Sequence, residues 1–353
     1  MVVPLVHVNP FSLMRNFGMQ IYPDWFKPRF GRIIVTRNCI LKCKMCTLWR
    51  RAWPEPSTNL IKHWIDELAE LGVEDISIGG GEPFIRKDLV KLVEHIQSYG
   101  VRCGITTSGW LTDRVPFPPA DYFEISIDGA KPETHDKIRG AKGSWEKAVK
   151  TVKLATKKAS VSQLNFVLQA DNYTELVDYC KFARSLGVGV SIIPISLKLA
   201  AQPSIAKKMA KIDPAYIRSL IEQAMDVGNV LNTREFFDIY FNKLENGPCR
   251  QTCLFPYEGI LIFTNSYVYP CGNFDRPVGK LTEKKKIKDI FQSYENIRKE
   301  VSRAGNHKRC TDCTYGDIIP RRGLGGNLKF FAQETFRKRV YNPPWEGGSC
   351  PNE

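Results

Sequence analysis

The sequence predicts an α/β protein: a partial (β/α)6 TIM-like barrel followed by a small cysteine-bearing C-terminal extension. Three observations predict it. From Gly31 to about Ser196, short β-rich runs alternate with longer helical patterns, as βα units feeding a parallel sheet do. Six such units are present without a seventh or eighth, so the barrel is incomplete. After Pro194 the pattern changes to helices, a hairpin-like stretch and a tail rich in cysteine.

The strands are expected at about Arg32–Thr36, Asp75–Ile78, Val101–Thr106, Tyr122–Ile127, Gln163–Leu168 and Val188–Ile193, each short and rich in β-branched or aromatic residues. Ile61–Leu71, Leu89–Tyr99, Trp145–Lys157 and Glu175–Leu186 carry apolar residues at three- and four-residue spacing and read as the helices between them. The third connection, through Pro116–Pro119, is shorter and proline-rich. Further on, Pro214–Val227 and Thr233–Leu244 read as helices and Gly259–Tyr269 as a hairpin. A boundary near residue 240 divides the chain into an arm (1–30), the barrel (31–240) and the extension with its tail (241–353). The arm mixes aromatic and basic residues, as a membrane-surface segment would, but Pro23 and Pro28 break any long helix, and packing under the barrel is the simpler expectation.

The chain has 353 residues, enough for one large domain and a smaller one. No apolar run approaches the ~18 residues that span a bilayer, and no basic segment precedes the valines near Met1 as in a secretory signal, so a cytoplasmic protein is expected. Fifty-one Lys and Arg against 37 Asp and Glu give a formal charge of +14, which favours anionic partners. The basic residues are dispersed and no aromatic-interleaved basic tract marks a nucleic-acid groove.

Eleven cysteines in a reducing compartment point to metal rather than to disulfides. Cys103, in a strand-like run, and Cys180, on a helical face with Leu176 and Ala183, read as buried structural thiols. The other nine fall into two groups: Cys39, Cys43 and Cys46, then Cys249, Cys253, Cys271, Cys310, Cys313 and Cys350. Immediately after the first strand, Cys39-Ile-Leu-Lys-Cys43-Lys-Met-Cys46 brings three thiolates to one loop. Three thiolates on a four-iron cluster leave one iron open to an outside ligand. A zinc knuckle is the alternative, but no Cys or His follows within a dozen residues to close it.

The motifs at the later strand ends decide between them. Gly79-Gly80-Gly81-Glu82-Pro83 follows the second strand and Thr106-Thr107-Ser108-Gly109 the third. Glu124-Ile-Ser126-Ile-Asp128-Gly129 ends the fourth, followed by His135-Asp136 and Ile138-Arg139-Gly140. In this order they resemble the radical S-adenosylmethionine (radical SAM) superfamily from about Gly31 to Ile195. The resemblance implies a [4Fe-4S] cluster on Cys39, Cys43 and Cys46, with S-adenosylmethionine chelated to its open iron. It implies cofactor contacts at Gly80, Gly81, Glu82, Pro83, Ser108, Ser126 and Arg139, with Ser108 standing where Asn is usual. Asn172 is a weaker candidate. The implied activity is reductive cleavage of S-adenosylmethionine to a 5′-deoxyadenosyl radical that takes a hydrogen atom from substrate, with the electron supplied by a donor such as ferredoxin or flavodoxin.

Four more thiolates, at Cys253, Cys271 and the Cys310-Thr-Asp-Cys313 pair, can enclose a second cluster or a zinc ion. With Leu261, Tyr269-Pro270-Cys271 and Val278-Gly279-Lys280-Leu281, this stretch resembles the SPASM/twitch extension of radical SAM enzymes, in its single-cluster form, with Ser266 at a position where glycine is usual. The resemblance implies one auxiliary [4Fe-4S] cluster, leaving Cys249 and Cys350 as free thiols. A closed cluster suits electron transfer, so an oxidation, either dehydrogenation or oxidative bond formation, is the expected reaction. Peptide maturation and a non-enzymatic zinc or iron–sulfur protein are the alternatives. The substrate, small molecule or peptide, carries no motif.

Overall fold

Six strands, β1 (Phe30–Thr36), β2 (Asp75–Gly80), β3 (Arg102–Thr107), β4 (Tyr122–Ser126), β5 (Val161–Leu168) and β6 (Gly189–Pro194), pair in parallel in chain order. The computed structural model describes residues 27–50, 54–113, 115–159, 161–195, 203–246, 255–272, 274 and 276–302. Cys249, Cys253, Cys310, Cys313, Cys350 and nearly all of the N-terminal arm lie outside these residues. The six expected strands are all present, their ends displaced by a residue or two.

Strands β1 and β2 are joined through α1 (Thr58–Glu70), and β2 and β3 through α2 (Leu89–Gln97). Among the described residues β3 and β4 are joined without a helix, as the prolines require. The fourth connection holds two helices, α3 (Pro132–Arg139) and α4 (Ser144–Lys158), and the fifth holds α5 (Leu176–Ser185). Helix α3 was not expected from the sequence, because its only apolar residue with a periodic partner is Ile138. Its ends nevertheless carry clear signals: Pro132 at the first helical position and Gly140, in the left-handed region at φ 73°, just past the last.

After β6 come α6 (Pro203–Met209), α7 (Pro214–Asp226), α8 (Arg234–Asn246) and the single turn α9 (Phe255–Glu258). The expected hairpin is β7 (Gly259–Ile262) with β8 (Tyr267–Tyr269), followed by β9 (Gly279–Lys280), α10 (Ile287–Gln292) and α11 (Glu295–Ser302). Strand β7 adds in parallel to the free edge of β1, giving one open sheet in the order β6-β5-β4-β3-β2-β1-β7-β8-β9. The extension therefore continues the barrel sheet. A buried bond from the Ile287 amide to Glu67, at 2.6 Å, also ties α10 to α1.

Alternation along each strand sorts the side chains. Ile33 and Val35, Ile76 and Ile78, Phe123 and Ile125 face the helices and form the main core with Trp64, Ile65 and Leu68 of α1. Each fully buried aliphatic of this set contributes about 1.5–3 kcal/mol. Cys103 and Cys180 are fully buried in the same core, as structural thiols should be. The intervening residues, Arg32, Ser77, Thr106 and Glu124, face the concave inner side.

Candidate active site at the strand ends

The cysteine loop leaves the top of β1 and is braced from three sides. From β2, the Gly81 amide donates to Thr36 O at 2.8 Å and the Glu82 amide to Asn38 O at 2.9 Å. This approach explains two glycines: a Cβ on Gly80 would lie 2.2 Å from Thr36 O, and one on Gly81 would lie 2.1 Å from Asn38 O. Both make room for the backbone that leads into Cys39. From below, the Glu55 carboxylate accepts from Thr36 Oγ1 at 2.6 Å and from Asn38 Nδ2 at 2.7 Å, while Arg86 pairs with Glu55 and Asp88. From α3, Ile138 O accepts the Lys44 amide at 3.1 Å, and Gly140 packs where a Cβ would come within 2.9 Å of Lys42 O.

Within the loop, Cys43 O accepts from the Cys46 amide and from Trp49 Nε1, and Cys46 Sγ accepts from the Leu48 amide at 3.4 Å. Cys43 is buried, Cys39 and Cys46 half-buried. Burial pushes the Cys39 thiol up to about 12, with the Cys43 and Cys46 sulfurs close enough to add to the rise. Among the described residues, no three His, Cys, Asp or Glu side chains close on a single metal ion. Three neighbouring thiols on one loop fit a cluster that would hold each thiolate at a different iron and leave one iron open.

Glu82 is fully buried and saturated. Its Oε1 accepts from Thr107 Oγ1 at 2.7 Å and the Phe84 amide at 3.3 Å, and its Oε2 accepts from the Ser108 amide at 2.9 Å and the Ser108 hydroxyl. The β2 and β3 motifs are thus one unit, with the Ser108 hydroxyl directed at Glu82. Ser126 stands half-buried on the inner face, level with Asn165 of β5. Arg139 lies with Nε 2.6 Å from Asp128 Oδ2, an ion pair without hydrogen-bond alignment, and reaches Cys43 Sγ with Nη1 at 3.9 Å. Asn172 is wholly engaged in structure: it accepts the Gln169 amide and donates to Asp128 O and Val167 O.

Sequence reasoning missed Glu55, Arg86 and the role of Asp128. Glu55 and Arg86 belong to no motif, so nothing in the chain marked them. Asp128 was signalled by its place in the Ser-Ile-Asp-Gly run. His135 is also bound into this region: its Nδ1 accepts the Asp128 amide at 3.0 Å, and burial holds the imidazole down at about 3. Asp136 caps α4, accepting from Gly143 N, Ser144 Oγ and Trp145 N.

Part of the positive charge is gathered on the outer face of α4. There Lys147, Lys150, Lys153 and Lys157 line a groove of about 300 Å3 beside Gly109 and Thr112. No helix among the described residues is long and apolar enough to cross a membrane.

An open parallel sheet with a three-thiol loop at its first strand end, clamped by a glycine turn and an arginine, defines an enzyme that uses an iron–sulfur cluster with S-adenosylmethionine. The comparisons with known proteins agree. The sequence model of the Radical SAM superfamily matches residues 33–183, and this match together with the relatives below supports a radical SAM enzyme. It is 24% identical over 317 residues to the "AdoMet-dependent heme synthase" of Oleidesulfovibrio alaskensis, covering 80% of this chain and 79% of that protein. It is 32% identical over 166 residues to "Mycofactocin maturase MftC" of Mycolicibacterium smegmatis, covering 45% and 42%. The chain spans less than half the length of several relatives it matches. Among solved structures, Streptococcus suis SuiB bound to precursor peptide SuiA shares the fold, with a TM-score of 0.59 at 18% identity, covering 90% of this chain and 81% of that one.

Proposed function

We propose that the chain oxidises its substrate in two one-electron steps, with Cys39, Cys43 and Cys46 holding the catalytic cluster and Cys253, Cys271, Cys310 and Cys313 holding an auxiliary one in the segment after residue 240. When bound, the first cluster and S-adenosylmethionine supply a 5′-deoxyadenosyl radical that takes one hydrogen atom from the substrate. Glu82 fixes the turn that shapes the cofactor seat, with Gly80, Gly81 and Pro83. Ser108 is locked to Glu82, Ser126 faces the inner side, and Arg139 sits against Cys43. The substrate would then lose one proton and one electron, which balances a dehydrogenation, and a cluster held by Cys253, Cys271, Cys310 and Cys313 would supply the acceptor for that electron. An acidic electron carrier of the ferredoxin or flavodoxin kind supplies the first electron, a partner that suits the lysine face of α4.

The carrying observation is the position of Cys271. Strand β8 runs antiparallel to β7, with Tyr269 opposite Leu261, which is itself level with Arg32. Cys271 therefore lies toward the N-terminal end of β1, some six residues below the Cys39 loop, about 20 Å along a strand. An acceptor there, beside Phe274 and Ile297, would stand at the opposite end of the strands from a radical source at the Cys39 loop.

Anaerobic reconstitution tests this. Wild type should bind about eight irons per chain, and the C253A/C271A/C310A/C313A variant about four, with deoxyadenosine formation retained. Four irons and one zinc in wild type would overturn the auxiliary cluster. The second reading, modification of a peptide, draws on the maturase MftC and on the fold shared with peptide-bound SuiB. A precursor peptide that stimulates deoxyadenosine release would favour it.

A further inference from the structure

The inner face of this barrel carries Arg32, Ser77, Thr106, Glu124, Gln163 and Asn165 beside the apolar Ile34, Val167 and Ile193, where barrel interiors are ordinarily packed throughout with branched aliphatic side chains. Its residues form tiers fixed by strand register. In one, Arg32 is level with Ser77, Ser77 with Gly104 and Gly104 with Tyr122. The Tyr122 ring lies across this tier: a Cβ on Gly104 would fall 2.0 Å from it, and its hydroxyl donates to Asp75 at 2.7 Å. Tyr122 is thereby the floor. In the next tier Thr106 is level with Glu124 and Glu124 with Gln163, and above it Ser126 is level with Asn165 and Asn165 with Ser191.

Glu124 is the centre. It is half-buried and accepts from Thr106 Oγ1 at 2.7 Å, Gln163 Nε2 at 3.2 Å and Asn165 Nδ2 at 3.3 Å. All three donors are neutral, and among the described residues no cation stands within ion-pair distance of it. The nearest positive charge in the network, Arg32, reaches Thr106 Oγ1 at 3.4 Å, so the threonine hydroxyl intervenes between the two charges. A carboxylate offers about four acceptor positions, and three are taken. A carboxylate in a concave, partly dehydrated site without its own counter-ion favours a cation brought by a ligand.

Resting on the reading of the chain as a radical SAM enzyme, we propose that this face seats a small hydroxylated molecule bearing a cationic amine, with Glu124 as the anchor of the amine. Thr106, Gln163 and Asn165 present the hydrogen-bonding groups that hydroxyls require. Glu124 lies one tier below Ser126, about 6–7 Å along β4, so an anchored molecule of that length places a carbon at the mouth where the radical forms. A flat, largely apolar macrocycle on this face would strip water from these groups without replacing it, at about 1–3 kcal/mol for each group left unpaired.

The test uses defined probes on the reconstituted full-length enzyme with S-adenosylmethionine present, read by calorimetric titration. Glucosamine should bind at least tenfold more tightly than glucose or N-acetylglucosamine, which lack the cationic amine. Glu124→Gln, with iron content equal to wild type, should erase that preference, and Glu124→Asp should keep part of it. Equal binding of the three sugars overturns the proposal, as does an amine preference that survives in E124Q or tighter binding of iron–coproporphyrin III than of glucosamine. Cluster loading and deoxyadenosine formation by wild type without probe report on the radical SAM reading separately, so failure of one is distinguishable from failure of the other.

Discussion

Glu82 and Glu124 are two carboxylates in the same half-barrel, one at the mouth and one a few residues deeper, and their surroundings differ in kind. Glu82 is fully buried, and two backbone amides and two hydroxyls donate to it. Glu124 is half-buried and held by three side-chain donors, Thr106, Gln163 and Asn165. Backbone donors cannot turn away, so Glu82 is a fixed part of the scaffold that joins the β2 and β3 loops. Side-chain donors can re-aim, so Glu124 can exchange a partner for a ligand. A buried carboxylate is therefore no guide to chemistry until its donors are known.

The largest expected effect separates them directly. Glu82→Ala strands four buried donors and should cost about 4 kcal/mol, whereas Glu124→Ala, which frees only side-chain donors, should stay within about 1 kcal/mol. Urea midpoints and iron content measure both; equal losses would break the comparison. Asp128 asks whether charge or donor count matters more. It is fully buried and faces Arg139, and Asp128→Asn leaves that guanidinium without its counter-charge, an expected loss of about 3 kcal/mol. Arg139 would also lose its hold beside Cys43, so the cluster's midpoint potential should move by spectroelectrochemical titration. An unchanged potential would show that Arg139 does not act on the sulfur.

Gly104→Ala acts on the lumen alone. The added methyl collides with the Tyr122 ring and should cost about 1–3 kcal/mol in the urea midpoint while leaving the Glu82 unit intact. His135 adds a pH test near Asp128. Its folded pKa, about 3, lies below the ordinary 6.5, so between those values the unfolded chain binds a proton that the folded chain refuses. Stability from this group is complete above pH 6.5 and declines as pH falls toward 3. Melting temperature followed over that range should fall less steeply in His135→Asn, whose amide oxygen can still accept the Asp128 amide.

The barrel was legible because period-two and period-3.6 patterns are dictated by burial against a sheet, and β1 to β6 are buried on their helix side. The strand-end motifs were legible as a set, but their internal logic was not. Gly80 and Gly81 serve the cysteine loop's backbone, and Ser108 turns to Glu82, relations between segments 26 to 44 residues apart in the chain. Addition of β7 to the edge of β1 was equally hidden, since edge pairing leaves no pattern in either strand alone. The polar part of the inner face was present in the sequence as Arg32, Thr106, Glu124, Gln163 and Asn165. Its meaning depended on knowing that alternate residues of five strands converge.

The smallest effect is expected far from both carboxylates, at the turn between β7 and β8. Ser266 has φ 65°, the one positive φ at a non-glycine residue among those described. The turn is held by the Ser266 amide donating to Phe263 O at 2.9 Å, and Ser266 O accepts the Leu281 amide at 2.8 Å, so the strained residue also fixes β9. Ser266→Gly removes the steric cost of the left-handed conformation but gives the unfolded chain more freedom, leaving a net gain of about 0.5–1 kcal/mol. A higher urea midpoint with unchanged iron content is the expected result. A lower midpoint would mean that the serine side chain contributes more than its backbone strain costs.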